Sequence, residues 1–171
     1  MTNDKHTLSI LVDNEAGVLA RVIGLFSARG FNIESLTVSE IDKSSHVSCI
    51  TIVTTATDNV ITQIKLQLLR LVPVHSVVDL TLGPPHVERE MALIKVASVG
   101  QKRVEALRLA DAFRAHTIDA AVDSFIFEIT GSQDKVNQFI KLMIPLGLVE
   151  ISRTGIAAIS RGSEAVHDLE D

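Results

Sequence analysis

The feature that most constrains this chain is a change of hydrophobic period that occurs twice in the same order: two-residue alternation gives way to 3.6-residue spacing and back, in each half. In the first half Leu8, Ile10 and Val12 alternate as a strand, and Asp13-Asn14-Glu15-Ala16-Gly17 breaks the pattern as a turn. Val18, Leu19, Val22, Ile23 and Phe26 then fall on one helical face, with Gly30 placed to close that helix. Residues 32–41 and Val47–Thr54 read as a hairpin, and Asp58 as the cap of a second helix carrying Ile61, Ile64 and Leu68 inward. Pro73 ends that helix and Val74–Leu82 supplies a fourth strand.

After Gly83-Pro84-Pro85, which cannot continue a central strand, the order starts again. Arg89–Ala97 reads as a strand and Gln101–His116 as a helix with Val104, Leu107 and Ala110 inward. Ile118–Thr130 reads as one or two strands, and Ser132 as the cap of a helix containing Val136, Phe139, Ile140 and Met143. Leu148–Ser152 reads as a closing strand. Two α+β modules of order βαββαβ follow, each an antiparallel sheet with helices on one face, spanning residues 1–83 and 84–163 and followed by an acidic tail, 164–171, expected to fray. The bare face or edge strand of each sheet calls for cover, which dimerisation would give.

Composition narrows the function classes. With 16 Lys and Arg against 21 Asp and Glu, the net charge is −5 and no basic stripe follows a phosphate backbone, which argues against nucleic acid. No apolar run approaches the ~20 residues of a membrane helix. The N-terminal Met1–His6 segment has no apolar export region, and Cys49 sits in an apolar alternating stretch as a buried structural thiol, so a cytoplasmic location is expected. His6, His46, His75, His86, His116 and His167 are scattered without the spacing of a zinc site, so no metal is expected. Neither a phosphate-binding glycine loop nor a nucleophile elbow is present, and the acidic residues fall at turns and polar faces. The chain is expected to be non-catalytic.

The first turn and the start of the following strand are built like a receptor for a zwitterion. Free N–H groups at a helix start favour a carboxylate, Gly17 lets the main chain come close, and the amide oxygens of Asn14 and Asn32 accept from an ammonium group. Val18, Leu19 and Ile33 offer an apolar wall, and Glu15 and Ala16 complete the turn. The plain alternatives are that Asn14 only caps a helix, Gly17 only permits a positive φ, and Asn32 only satisfies a strand end.

The run from Asn14 to Phe26, Arg29-Gly30-Phe31-Asn32-Ile33-Glu34-Ser35-Leu36-Thr37-Val38, His86-Val87-Glu88-Arg89-Glu90 and Arg153 to Gly162 resemble the regulatory small subunits of acetolactate synthase. The resemblance implies an ACT domain followed by a ferredoxin-like C-terminal domain. It also implies a homodimer that binds a large catalytic subunit, raises its activity and confers feedback inhibition by valine, with leucine or isoleucine as possible effectors. Thiamine diphosphate, magnesium and FAD are implied on that partner and no cofactor on this chain. Asn14, Gly17, Val18 and Leu19 of one protomer with Asn32 and Ile33 of the other would line the valine site. The rival readings are an ACT-type sensor of a different enzyme or transcription factor, and a small hydrolase of the acylphosphatase type, for which the phosphate-cradling loop is missing.

Overall fold

The computed structural model describes residues 3–165. Its elements run β1 (Asp4–Asp13), α1 (Val18–Ala28), β2 (Ser35–Asp42), β3 (Val47–Ala56), α2 (Asp58–Leu68), β4 (Val74–Asp79), β5 (His86–Ala97), α3 (Gly100–Phe113), β6 (His116–Ala120), β7 (Ser124–Gly131), α4 (Gln133–Met143), β8 (Leu148–Arg153) and β9 (Ala157–Ser160). The chain divides into two compact units, one running up to Val87 and taking in the chain again from Ile156, the other Glu88–Gly155. The stretch from Ile156, expected to belong to a second module running to residue 163, is part of the first unit. Residues 166–171 of the expected acidic tail lie outside the described residues.

In the first unit four strands pair antiparallel in the order β2-β3-β1-β4. Strand alternation sends Leu8, Ile10, Val12, Ile50 and Ile52 to one face, where Val18, Val22 and Phe26 of α1 and Ile61, Ile64 and Leu68 of α2 pack on them. Leu19 and Ile23 stand further out than the helical pattern suggested, Leu19 at 36% exposure. Gly30 takes the left-handed conformation (φ 69°) after α1, and Phe31 donates its N–H back to Phe26 O, the expected closure. Helix α2 has Thr57 as N-cap, with Asp58 one position inside it.

The opposite face of this sheet was expected to need an outside partner. Yet Thr7, Ser9, Thr51 and Val53 on it are nearly fully buried. The chain from Ile156 onward supplies cover: Ile156, itself buried, donates its N–H to Ser35 Oγ at 2.8 Å. Residues 157–160 and 162–165 border a cleft of about 500 Å³ against Ser9, Thr37, Ser39, Cys49 and Thr51. Cys49 is half-buried at this cleft, 3.4 Å from Ser9 Oγ, rather than the fully buried thiol the alternation implied. Strand β9, which the sequence reading did not foresee, lies in this segment, and Arg161 after it donates to the carbonyls of Pro85 and His86.

The second unit repeats the plan with strands in the order β6-β7-β5-β8. Ile94, Val96, Phe127 and Ile129 meet Ala106 and Ala110 of α3 and Val136, Phe139 and Met143 of α4. Phe139 packs edge-on to Phe127 and tilted against Phe113, so aromatic rings fill much of this core. Ser132 caps α4 as expected, accepting from Lys135 N–H. Helix α3 buries Ala110, as expected, but beside Ala106 rather than beside Val104 and Leu107, which are 43% and 38% exposed.

Candidate functional site

The turn between β1 and α1 is held open by its own main chain. Asp13 N–H bonds Pro73 O, Asn14 N–H bonds His46 O at 2.6 Å and Glu15 N–H bonds Asp13 O, fixing the loop against the neighbouring strand ends. Gly17 is the N-cap of α1 at φ 86°, a conformation that disfavours side chains. A Cβ built there meets nothing within 4 Å, so the main chain faces open space. No side chain caps the helix and its first turn holds no acidic residue. The first intrahelical bond is Arg21 N–H to Gly17 O, so the N–H groups of Leu19 and Ala20 have no intrahelical acceptor. Positive helix potential and unfilled donors converge on one point of solvent, the arrangement that suits a carboxylate.

Asn14, Glu15 and Ala16 are exposed around this point, and Leu19 borders it. Val18 is 3% exposed and belongs to the core, so its side chain supports the turn from below. Asn14 Nδ2 donates to Glu40 Oε1 at 3.1 Å, which leaves the amide oxygen as an acceptor and sets a carboxylate beside it. Glu40 escaped the sequence reading. It lies on β2, 26 positions away, and only the strand register brings it to the turn. Asp13 Oδ1 and His75 Nε2 pair at 2.6 Å on the same rim, another contact with no local signal.

Asn32 and Ile33 are elsewhere in the same chain. Asn32 is exposed, its carbonyl accepting from Thr54 Oγ1 at 2.6 Å, and Ile33 is half-buried against the core. The turn lies beside His46 and Val47 at one end of β3, and Asn32 lies beside Thr54 near the other. From Val47 to Thr54 the strand covers about 24 Å at ~3.4 Å per residue. One chain therefore does not bring the two clusters together. Strand β2, which begins just after Ile33, is an edge of the sheet, with Val38 and Ile41 43% and 57% exposed along it.

The βαββαβ order in both units, with helices on one sheet face and an uncapped glycine turn at the first helix, defines an ACT-like protein of two modules. The family model described as "AHAS small subunit-like ACT domain" matches residues 8–76, and that of the "Small subunit of acetolactate synthase" matches residues 89–162. The probable acetolactate synthase small subunit of Archaeoglobus fulgidus is 46% identical over 160 residues, covering 94% of this chain and 99% of that protein. The acetolactate synthase small subunit of Haemophilus influenzae is 43% identical over 163 residues, covering 95% and 99%. Among solved structures, the small subunit from Thermotoga maritima superposes with a TM-score of 0.84 at 40% identity, covering 94% of this chain and 99% of that one. The chain belongs to the acetolactate synthase small-subunit family.

Proposed function

We propose that the chain is the non-catalytic regulatory subunit of acetolactate synthase. In this reading it activates a thiamine-diphosphate-dependent large subunit and makes that subunit sensitive to valine through a site shared by two copies of the chain. The observation that carries the shared site is the separation of the two residue clusters together with the free edge at β2. Sheet order makes β2 parallel to β1, so its N-terminal end points away from the turn. A second copy pairing antiparallel along β2 reverses that direction. Centred between Val38 and Ser39, such a pair sets Ser35 of one copy opposite Asp42 of the other. The copy's Asn32 and Ile33 then arrive just past Asp42, at the end of the sheet where the first turn lies and where Asn14 reaches across to Glu40.

The chemistry of the joined site fits a small aliphatic amino acid. Its carboxylate meets the N–H groups of the α1 start. Its ammonium meets the amide oxygens of Asn14 and Asn32 and the Glu40 carboxylate, and its side chain meets Leu19 and Ile33. Leucine and isoleucine differ from valine by one methylene, worth ~1–3 kcal/mol in an apolar pocket, so partial cross-response is expected.

A mixed dimer tests the sharing. One chain carries Gly17→Asp and the other Asn32→Ala, each with its own affinity tag, and both are assayed with the large subunit for valine inhibition of acetolactate formation. Each mutant homodimer has two broken sites and loses the response. The mixed dimer keeps one whole site, wild-type turn facing wild-type Asn32, and regains inhibition at wild-type valine concentrations. A mixed dimer as unresponsive as its parents would place the site inside single chains and end the proposal.

A further inference from the structure

The second unit has its own turn between first strand and first helix, and its chemistry is of another kind. Strand β5 ends at Ala97, paired with Ser124, and the ladder continues one step further through Ser98 N–H to Asp123 O at 2.8 Å. Val96 points into the core and Ala97 away from it, so continued alternation turns the Ser98 side chain to the helix side, directly before α3. Ser98 is 6% exposed and its Oγ has no hydrogen-bond partner among the described residues. Arg103, one turn into α3, lies on the same inward face as Ala106 and Ala110. Its guanidinium stacks 3.8 Å from the centre of the Phe125 ring, and its Nη1 is buried without a partner among the described residues. Phe125 pairs with Val96 across the sheet, so the guanidinium sits below the end of β5 and the start of α3.

Helix α3 has no side-chain cap, its N-cap being Val99, and no acidic residue in its first turn. Lys102 and Arg103 stand there instead, next to the positive end of the helix dipole, where a cation is disfavoured. A buried donor left without a partner adds to that cost. Gly100 is left-handed (φ 60°) with open space where a Cβ would be, so the main-chain N–H groups at this end are approachable. A negative oxygen-bearing group at the start of α3 offsets each of these costs. The hydroxyl and guanidinium then gain an acceptor, and the cations and helix dipole gain a counter-charge.

We propose that the start of α3, with Ser98 and Arg103 beneath it, binds a small oxyanion: the phosphate or carboxylate of a metabolite. A planar guanidinium held on an aromatic ring offers a two-pronged donor that fits either group, and no element of the proposal depends on the amino-acid site in the first unit.

The test uses the full-length chain labelled with ¹⁵N and titrated separately with inorganic phosphate and with acetate, against sodium chloride at matched ionic strength. Saturable amide shifts are expected at Gly100, Gln101 and Lys102 with one or both oxyanions, and phosphate alone or acetate alone identifies the class bound. Arg103→Lys keeps charge and stem but loses the fork, and should weaken binding about tenfold, while Ser98→Ala should weaken it roughly threefold to tenfold. Either variant suffices should the other fail to fold. Shifts that do not saturate, that chloride reproduces, or that persist at wild-type affinity in the folded variants overturn the proposal.

Discussion

The two strand-to-helix turns of this chain occupy the same place in the same topology and are chemically opposed. In the first unit Gly17 caps an exposed helix start and the neighbouring polar groups, Asn14 and Glu40, are an amide and an acid at the surface. In the second, Ser98 and Arg103 are drawn beneath the helix start with unfilled hydrogen-bonding capacity. A donor pocket edged by a carboxylate suits a ligand with both charges, whereas a pocket of donors and cations suits a purely negative one. The module supplies a helix end aimed at a strand end. The few residues around it decide what that end recognises.

The largest effect expected from testing this contrast comes from Gly17→Asp. Aspartate tolerates the left-handed conformation better than most residues, so the fold should persist, while its carboxylate takes the place of the ligand's. The half-inhibitory valine concentration should rise about 100-fold or more, ~2.7 kcal/mol, with activation of the large subunit retained. Unchanged inhibition would remove the first turn from the site. A change of comparable energy but different kind is expected in the second unit. Arg153 holds the 4%-exposed Glu90 through two bonds of 2.7 and 2.6 Å, and the guanidinium is held above its usual range, first by that hydrogen bonding. Glu90→Gln should cost about 2 kcal/mol of stability by thermal melting, since Arg153 is left half-paired, while leaving valine affinity of the folded protein unaltered.

A smaller effect sharpens the assignment of ligand charge. Glu40→Gln removes the acid beside Asn14 and should weaken valine about tenfold in calorimetry, and weaken a non-ammonium analogue such as isovalerate little or not at all. Equal losses for both would argue that Glu40 only positions Asn14. The smallest effect lies on the exposed face of the second sheet, where Lys95 pairs with Glu150. Hydrogen bonding to Lys95 holds the Glu150 carboxyl below its ordinary range. Its depressed folded value means that the pair contributes above the unfolded value and is lost as pH falls through the folded one. Lys95→Met should flatten the acid limb of the stability profile slightly at low salt and leave no visible difference at high salt, because both partners are solvated.

Much of the fold was legible because hydrophobic period reports directly on which face is buried. Leu8, Ile10 and Val12 alternate in the sequence and are buried together in the structure. Helix α3 was legible at Ala110 but not at its other inward positions, for a physical reason. Its inward face is built of Ala106, Ala110 and the stem of Arg103, residues that carry little hydrophobic signal, while Val104 and Leu107 advertise a face that stays half-open. The candidate site was legible at Asn14 and Gly17, where turn chemistry is local. Glu40, His75 and the separation of Asn32 from the turn were not, since each depends on strand register rather than on neighbours in sequence. Cover for the first sheet was hidden in the same way, coming from residues more than a hundred positions downstream.

That cover changes how the chain can be dissected. A stop placed at the Gly83-Pro84-Pro85 joint would appear to release a complete first unit, but it would strip Ile156 and the segment from Ala157 to Ala165 from the hydroxyl-rich side of the first sheet. Loss of function in such a truncation would then report damage to the first unit itself, not the absence of the second module. A deletion that excises only Glu88–Gly155 and rejoins the flanks through a designed linker is the cut that respects the way the polypeptide is laid down.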